Sequence, residues 1–137
     1  LALSINEDRL RIYGLDRLEN VELTTERFSM PKDFNAKEYF STFFGIVTDE
    51  NVAVERIVIR AYKQHQQYVR SLPIHSSQKE LYACDAYADF ELRLRPTYDF
   101  IMELLHAGEM IKVIEPKSLR HTMKEWAKSL WELYKKD

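Results

Sequence analysis

The stretch Tyr87-Ala88-Asp89-Phe90-Glu91-Leu92-Arg93-Leu94 decides the fold of this chain. Apolar residues occupy every second position, and tyrosine, aspartate, glutamate and arginine stand between them. Successive side chains of a β-strand point to opposite faces, so this alternation is the pattern of a strand. The sequence therefore predicts a strand at residues 86–94, and this is its clearest strand signal.

The segments on both sides of this strand alternate between strands and helices. Before it, the sequence predicts a strand, a helix ended by a proline and a short strand, at residues 52–60, 61–72 and 81–84. After it, a helix opened by Pro96 and capped by Gly108 precedes a strand at residues 110–114. The resulting order, βαββαβ, is that of ferredoxin-like folds. A final amphipathic helix is predicted from about Lys117 to Tyr134.

Residues 1–30 have the pattern of short strands. Strands are predicted at residues 1–5 and 9–15, joined by the polar turn Asn6-Glu7-Asp8, with a further short strand at residues 20–23. Three strands cannot close a barrel, so we expect part of this domain to lie upstream. Residue 1 is a leucine inside a predicted strand, which also favours a piece of a longer polypeptide.

Residues 31–50 are predicted to be a connector. It begins at Pro31, because proline cannot donate a hydrogen bond to a sheet. Four aromatic residues then recur at helical spacing, followed by a glycine that is a typical helix stop: Tyr39, Phe40, Phe43, Phe44 and Gly45. We expect this aromatic stripe to lie in the core or to seal a hinge between domains.

Composition indicates a folded protein of one ordinary domain or two small ones, since 45% of the 137 residues are hydrophobic. The 20 lysines and arginines against 22 acidic residues give a net charge of −2, which argues against binding nucleic acid by bulk charge. Any such binding would need a local site. No apolar run is long enough to span a membrane, and no signal-peptide pattern is present. The single cysteine, Cys84, fits a reducing cytoplasm.

One candidate site lies in the predicted strand at residues 9–15. Three side chains share one face at a period of two, namely Arg9, Arg11 and Tyr13, and Arg17 joins them if the strand continues that far. Guanidinium groups hold phosphates and an aromatic ring stacks on a base, so this face is a candidate surface for nucleotide or single-stranded nucleic acid. The alternative is a solvated face whose arginines pair with acidic neighbours: Glu7, Asp8, Asp16 and Glu19.

Catalytic and metal-binding chemistry finds no support in the sequence. The four histidines and Cys84 lack the spacing of metal ligands, and no nucleophile elbow, phosphate-binding loop or dinucleotide turn is present. We therefore expect no enzyme activity, no metal and no cofactor. The aromatic residues of the last helix are better explained by packing or a dimer seam than by base stacking: Trp126, Trp131 and Tyr134.

Several spaced motifs in these segments resemble a known family. A resemblance to the second half of a WYL domain rests on three segments: Arg11-x-Tyr13-x-Leu15-Asp16-Arg17-Leu18, Val21-Glu22-Leu23 and Phe28-x-x-Pro31-x-x-Phe34. A resemblance to the extension that follows such domains rests on three more: Ile74-His75-Ser76-Ser77-Gln78, Leu104-Leu105-His106-Ala107-Gly108 and Val113-Ile114-Glu115-Pro116-x-x-Leu119-Arg120. The Trp-Tyr-Leu signature is absent, and Ser76 stands where proline is usual.

WYL domains belong to bacterial transcriptional regulators, downstream of a winged helix-turn-helix. The resemblance implies an α+β chain of three regions: the end of a small Sm-like or SH3-like β-barrel at residues 1–30, a helical connector at 31–50 and a ferredoxin-like extension at 51–137. It implies a cytoplasmic, dimeric ligand sensor whose upstream helix-turn-helix contacts DNA and which has no membrane partner.

Strand periodicity and the resemblance together predict which side chains meet a nucleotide or nucleic-acid effector: Arg9, Arg11, Tyr13 and Arg17 first, with His75, Gln78 and Arg120 as further contacts. For residues 75–78 the alternative is a loop whose side chains satisfy local backbone groups, and for Arg120 it is surface ion pairing. Two other functions stay open for the whole chain. One is a pure interaction or dimerisation module, and the other is a small-metabolite sensor with a largely apolar pocket.

Overall fold

The computed structural model describes residues 2–4, 9–27, 29 and 32–135, with the backbone alone for residues 3, 9 and 10. The chain divides into two compact units, Leu1–Phe34 and Asn35–Asp137. It is an α+β protein, as the sequence predicts, with an open four-stranded antiparallel sheet in the second unit. The turn predicted at residues 6–8 lies outside the described residues.

The first unit contains a short antiparallel pair, β1 (Ala2–Ser4) and β2 (Arg9–Arg11). The extended backbone ends earlier than predicted, because a 3₁₀ helix forms at Leu15–Arg17. Arg17 therefore lies on a helical turn and does not continue the face of β2. Residues 20–23 form no strand, and Asn20 has a φ of 52°, a left-handed conformation that breaks an extended backbone.

The second unit is built on an antiparallel sheet with the strand order β4-β5-β3-β6. Its strands are β3 (Glu55–Tyr62), β4 (Lys79–Ala83), β5 (Tyr87–Leu94) and β6 (Ile111–Glu115). Its helices are α1 (Ala36–Phe40), α2 (His65–Ser71), α3 (Tyr98–His106) and α4 (Lys117–Tyr134). From β3 to β6 the elements follow the predicted order βαββαβ, and α4 has the predicted bounds.

One face of this sheet carries the core. The apolar residues of β5 are all buried, as their alternation predicts: Ala88, Phe90, Leu92 and Leu94. Ile57 and Ile59 of β3 lie on the same face. The helices α2, α3 and α4 cover it with four buried side chains: Val69, Phe100, Leu104 and Leu119. The other face carries the polar half of the alternation, and we call it the polar face.

The boundary between β3 and α2 differs from the prediction. β3 continues to Tyr62, which pairs with Tyr87 of β5, so the helix begins at His65 and not at residue 61. The turn between them is made by Lys63, whose φ is 49° and whose amide donates to the carbonyl oxygen of Ala86 at 3.0 Å. Cross-strand pairing therefore prevails over the local helical pattern of residues 61–64.

The aromatic connector forms only a short helix, because α1 ends at Phe40. Phe43 and Phe44 follow it, and both pack within the second unit. Phe43 is buried under the guanidinium of Arg95, and the ring of Phe44 meets Phe100 edge to face at 5.7 Å. The connector from residue 35 onward thus belongs to the same compact unit as the sheet.

Candidate functional site

The predicted arginine and tyrosine residues lie in one short segment of the first unit, residues 9–17. Arg11 stands opposite Ala2 at the end of β2, and its side chain is exposed and takes part in a contact. Tyr13 follows the strand with 46% of its surface exposed. For Arg9 the structure describes the backbone only, in β2. We call residues 9–17 the Arg–Tyr segment.

The side chains of Asp16 and Arg17 lie close to Gly14. A Cβ at Gly14 would lie 2.7 Å from Nη2 of Arg17 and 2.5 Å from Oδ1 of Asp16, so both side chains fold back onto the glycine. The amide of Arg17 donates to the carbonyl oxygen of Gly14 at 3.1 Å, which holds the turn. A larger residue at position 14 would displace the guanidinium. The exposed Arg17 guanidinium is therefore held beside Gly14 by the local turn and not by a continuous strand.

His75 and Gln78 lie in the loop between α2 and β4, where their side chains bond to their own chain. The amide of Ser77 donates to Nδ1 of His75 at 3.2 Å, and Oγ of Ser77 lies 2.8 Å from the same nitrogen. Gln78 donates through Nε2 to the carbonyl oxygen of Val69 at 2.8 Å and accepts from the amide of Ile74 at 3.0 Å. These contacts are those of a folded loop, and a ligand role for the two residues stays a prediction.

Burial affects the ionisation of His75. Loss of contact with water lowers the pKa of His75, and the carbonyl groups of Phe43 and Ser41 offset part of this effect. Because Nδ1 accepts the amide of Ser77, the neutral ring carries its proton on Nε2. His75 is therefore held as a neutral side chain near pH 7.

The polar face of the sheet carries aromatic and ionised groups that the sequence analysis did not single out. The guanidinium of Arg60 donates to both carboxylate oxygens of Asp89 and lies 3.7 Å from the centre of the Tyr87 ring. Tyr82 and Tyr62 flank Tyr87, at 5.7 and 6.4 Å between ring centres. The alternation of apolar and polar residues in β5 indicates such a polar surface from the sequence, since it places every polar side chain of the strand on one side.

The arginines of the polar face are neutralised by neighbours. Arg56 donates to Glu91 at 2.6 Å and also pairs with Glu115. The hydrogen bond from Arg56 lowers the pKa of Glu91, so this carboxylate stays charged. Because Arg56, Arg60 and Arg93 each contact a carboxylate, the arginines of the polar face do not offer an unopposed positive charge to an anion.

A third surface is a cleft of about 700 Å³ bordered by α3, β6 and α4. Apolar side chains line much of it, among them Leu104, Ile111, Val113, Met123 and Ala127. Basic side chains of α4 line it as well: Lys117, Arg120 and Lys124. We call this the α4 cleft. Of the seven predicted site residues, Arg120 alone contributes to it.

A helical repeat of basic residues could have revealed the α4 cleft from the sequence. Lys117, Arg120, His121 and Lys124 recur at intervals of three and four residues, which places them on one side of α4. Of these residues only Arg120 was predicted as a contact, and that prediction rested on the family resemblance and not on this helical repeat. These residues border a cleft only because β6 lies beside α4 in the folded chain, and that contact between elements belongs to the tertiary structure.

Neither a metal-binding cluster nor a membrane-spanning helix is found in the part of the chain that the structure describes. Among the residues that the structure describes, no three His, Cys, Asp or Glu side chains come close enough to hold a metal ion. Across those same residues, no helix is long and apolar enough to cross a lipid bilayer.

Comparison with known families assigns the second unit. Residues 53–131, more than half of the 137 residues, match the sequence model of the WCX domain. A search of curated proteins found no match to the chain. The match covers the whole sheet and most of α4, the elements whose order and core are described above. The chain therefore belongs to the WCX domain family, whose domain follows WYL domains in regulators of that type.

Proposed function

We propose that this chain is the effector-binding, C-terminal region of a WYL-type transcriptional regulator. The observation that carries the proposal is the WCX match at residues 53–131, preceded in the same chain by the WYL-like motifs of residues 11–34. Binding of an effector would shift the populations of two domain arrangements and so alter DNA binding by an upstream helix-turn-helix. Such a regulator acts in the cytoplasm.

The effector we propose is anionic, either a nucleotide or a short single strand of nucleic acid, bound through the Arg–Tyr segment. Tyr13 is 46% exposed and Arg17 is exposed four residues later. An exposed ring and an exposed guanidinium in one short segment suit a base and its phosphate, since stacking and a charge-assisted bond act on the two parts separately. The predicted contacts of His75, Gln78 and Arg120 belong to this proposal as secondary ones.

For the second unit we infer a ferredoxin-like domain. The element order βαββαβ and the strand order β4-β5-β3-β6, with helices on one face, support it. For the first unit we infer the end of a small Sm-like or SH3-like barrel, supported by the antiparallel pairing of β1 with β2. Closure of such a barrel needs further strands from the rest of the regulator.

The experiment is a fluorescence anisotropy titration of this chain with a short, fluorescein-labelled oligothymidylate. Tyr13→Ala and Arg17→Ala should each weaken binding by roughly ten-fold, since a stacked base contributes about 1–3 kcal/mol. Arg27→Ala, another exposed arginine of the first unit, is the matched control and should change affinity little. Equal affinities for all four proteins would refute a site in the Arg–Tyr segment.

A second function, homodimerisation, is favoured by the end of α4. Large apolar side chains are exposed over its last two turns: Leu130, Trp131, Leu133 and Tyr134. Trp131 is 58% and Leu133 is 74% exposed, and aromatic residues in this setting are typical of interface cores. The occupant that we propose is the same helix end of a second copy, which would bury both sets of side chains.

Sedimentation velocity with and without the oligonucleotide separates the two functions. A dimer that Trp131→Glu dissociates, and that the oligonucleotide leaves unchanged, supports dimerisation through α4. Ser129→Glu, at an exposed position on the same helix, is the charge-matched control. A monomer at all concentrations would refute this second function.

A further inference from the structure

We propose that the α4 cleft is a second binding site, for a small amphipathic anion with a carboxylate or phosphate head and an apolar body. It lies entirely within the second unit, between α3, β6 and α4. Its volume of about 700 Å³ falls within the range of roughly 300–1,000 Å³ that is usual for small-molecule sites. The site is therefore distinct from the Arg–Tyr segment of the first unit.

The apolar part of the cleft is contributed by all three elements. Leu104 of α3 and Val113 of β6 are buried side chains at its base, and Ile111 and Met123 pack partly buried beside them. These residues present an apolar surface that continues along α4 to Ala127. A ligand body laid on this surface would gain about 25 cal/mol for each Å² of apolar area removed from water.

The charged part of the cleft has one sign only. Three basic side chains line it, Lys117, Arg120 and Lys124, all from α4, and none of the described lining residues is acidic. Lys112 of β6 also borders the cleft, but it stands opposite Arg60, so its side chain belongs to the polar face of the sheet. Within the described part of the chain, none of the three basic residues of α4 takes part in an ion pair. The contrast with the polar face is direct, because there each arginine is paired with a carboxylate. The cations of the cleft remain available for an anion from outside.

The positions along α4 give the ligand a direction. Lys117, Arg120 and Lys124 lie in the first half of the helix, whereas Ala127 and Leu130 lie in the second half. At 1.5 Å per residue, Arg120 and Leu130 are separated by about 15 Å along the helix axis. An anionic head near Arg120 and a medium-length acyl or aromatic body extending toward Leu130 match this gradient. The positive end of the helix dipole, at the start of α4, adds to the attraction for the head.

A small ligand fits these observations better than a macromolecule does. A protein helix in the cleft would need apolar side chains along its whole contact, but the basic residues occupy one half of it. A polynucleotide would leave the apolar half of the cleft unused. A small molecule with an anionic head and an apolar body can contact both the basic half and the apolar half of the cleft.

The test is isothermal titration calorimetry of the full chain with dodecanoate and dodecyl phosphate, below their micelle concentrations, and with dodecanol as the neutral match. We expect both anions to bind at one site and dodecanol to bind at least ten-fold more weakly. The ratio between the two anions then identifies the preferred head. Equal binding of dodecanol and dodecanoate would overturn the proposal, since it would show that the cations play no part.

Variants locate the binding. The double variant Arg120→Gln/Lys124→Gln should weaken dodecanoate binding at least ten-fold, and Ala127→Trp, which fills the apolar half, should weaken binding of both dodecanoate and dodecanol. Lys128→Gln is the control, because Lys128 is exposed on α4 but does not line the cleft. The polar substitutions are at exposed positions and leave the core intact. An effect of Lys128→Gln as large as that of the double variant would refute the site.

This site is tested separately from the Arg–Tyr segment. Tyr13→Ala should abolish stacking of an oligonucleotide base and leave dodecanoate binding unchanged, because Tyr13 belongs to the other unit. Loss of dodecanoate binding in Tyr13→Ala would contradict two independent sites. If the oligonucleotide fails to bind but dodecanoate binds as expected, the proposed nucleic-acid effector is refuted and the α4 cleft stands.

Discussion

Arg60 and Asp89 stand directly opposite each other on β3 and β5 and form a two-point hydrogen bond across the centre of the sheet. Nε of Arg60 lies 2.7 Å from Oδ1 of Asp89, and Nη2 lies 2.9 Å from Oδ2. The same guanidinium rests on the ring of Tyr87, and its hydrogen bond to Asp89 raises the pKa of Arg60 further above its ordinary value. The Arg60 guanidinium thus makes an ion pair with Asp89 and a cation–π contact with Tyr87 at the same time.

The first prediction concerns this arrangement. Arg60→Lys should lower the free energy of unfolding by about 1 kcal/mol, because an ammonium group cannot make the two-point bond or stack flat on Tyr87. The matched control is Arg93→Lys on the same face, where the ion pair with Glu91 is 3.5 Å long and the arginine is 69% exposed. Urea denaturation of both variants checks the difference. Equal losses in the two variants would contradict it.

The second prediction concerns pH and His75. Burial lowers the pKa of His75 below its ordinary value of 6.5, so the unfolded chain binds more protons there than the folded one. Stability should therefore fall as pH decreases below about 6.5, and this residue should have no effect well above that value. Protonation would also remove the acceptor for the amide of Ser77.

Thermal unfolding between pH 5 and pH 8 measures this effect. His75→Gln should reduce the loss of stability on the acid side, because glutamine does not titrate. His106→Gln is the control at an exposed position and should keep the pH dependence of the original chain. The same acid profile in both variants would exclude His75 as its source.

The third prediction concerns Gly45 and Asp99, which join the connector to α3. Oδ2 of Asp99 accepts the amides of Ile46 and Val47 at 2.8 and 2.9 Å. Gly45 has a φ of 73°, and a Cβ there would lie 2.8 Å from Cβ of Asp99. Gly45→Ala should therefore destabilise the chain both through the backbone and through this clash, by more than about 1 kcal/mol.

Gly108 offers the matched control. Its φ is 57°, but a Cβ there would meet nothing within 4 Å, so Gly108→Ala incurs only the backbone strain. In urea, Gly45→Ala should thus unfold at a clearly lower denaturant concentration than Gly108→Ala. If the two variants unfold at the same denaturant concentration, the close approach to Asp99 is not what makes Gly45 necessary.

The fold of the second unit was largely predictable because its signals are local and regular. The alternation in β5 indicated both the strand and its buried face, and the helical spacing of α4 indicated that helix with its bounds. Both patterns repeat over many residues, so one conflicting position does not change the predicted strand or helix. Boundaries set by pairing, such as that between Tyr62 and His65, were predicted less well because they depend on a partner strand.

The sequence by itself determined the alternating strands, the final amphipathic helix and the WYL-like motifs, because each is a pattern of neighbours along the chain. Only the tertiary structure decided that Gln78 bonds to the carbonyl oxygen of Val69 in α2 and that Arg120 borders a cleft with α3 and β6. The physical reason is that a site depends on distances between residues far apart in sequence. Those distances follow from how the helices cover the sheet, which no local period encodes.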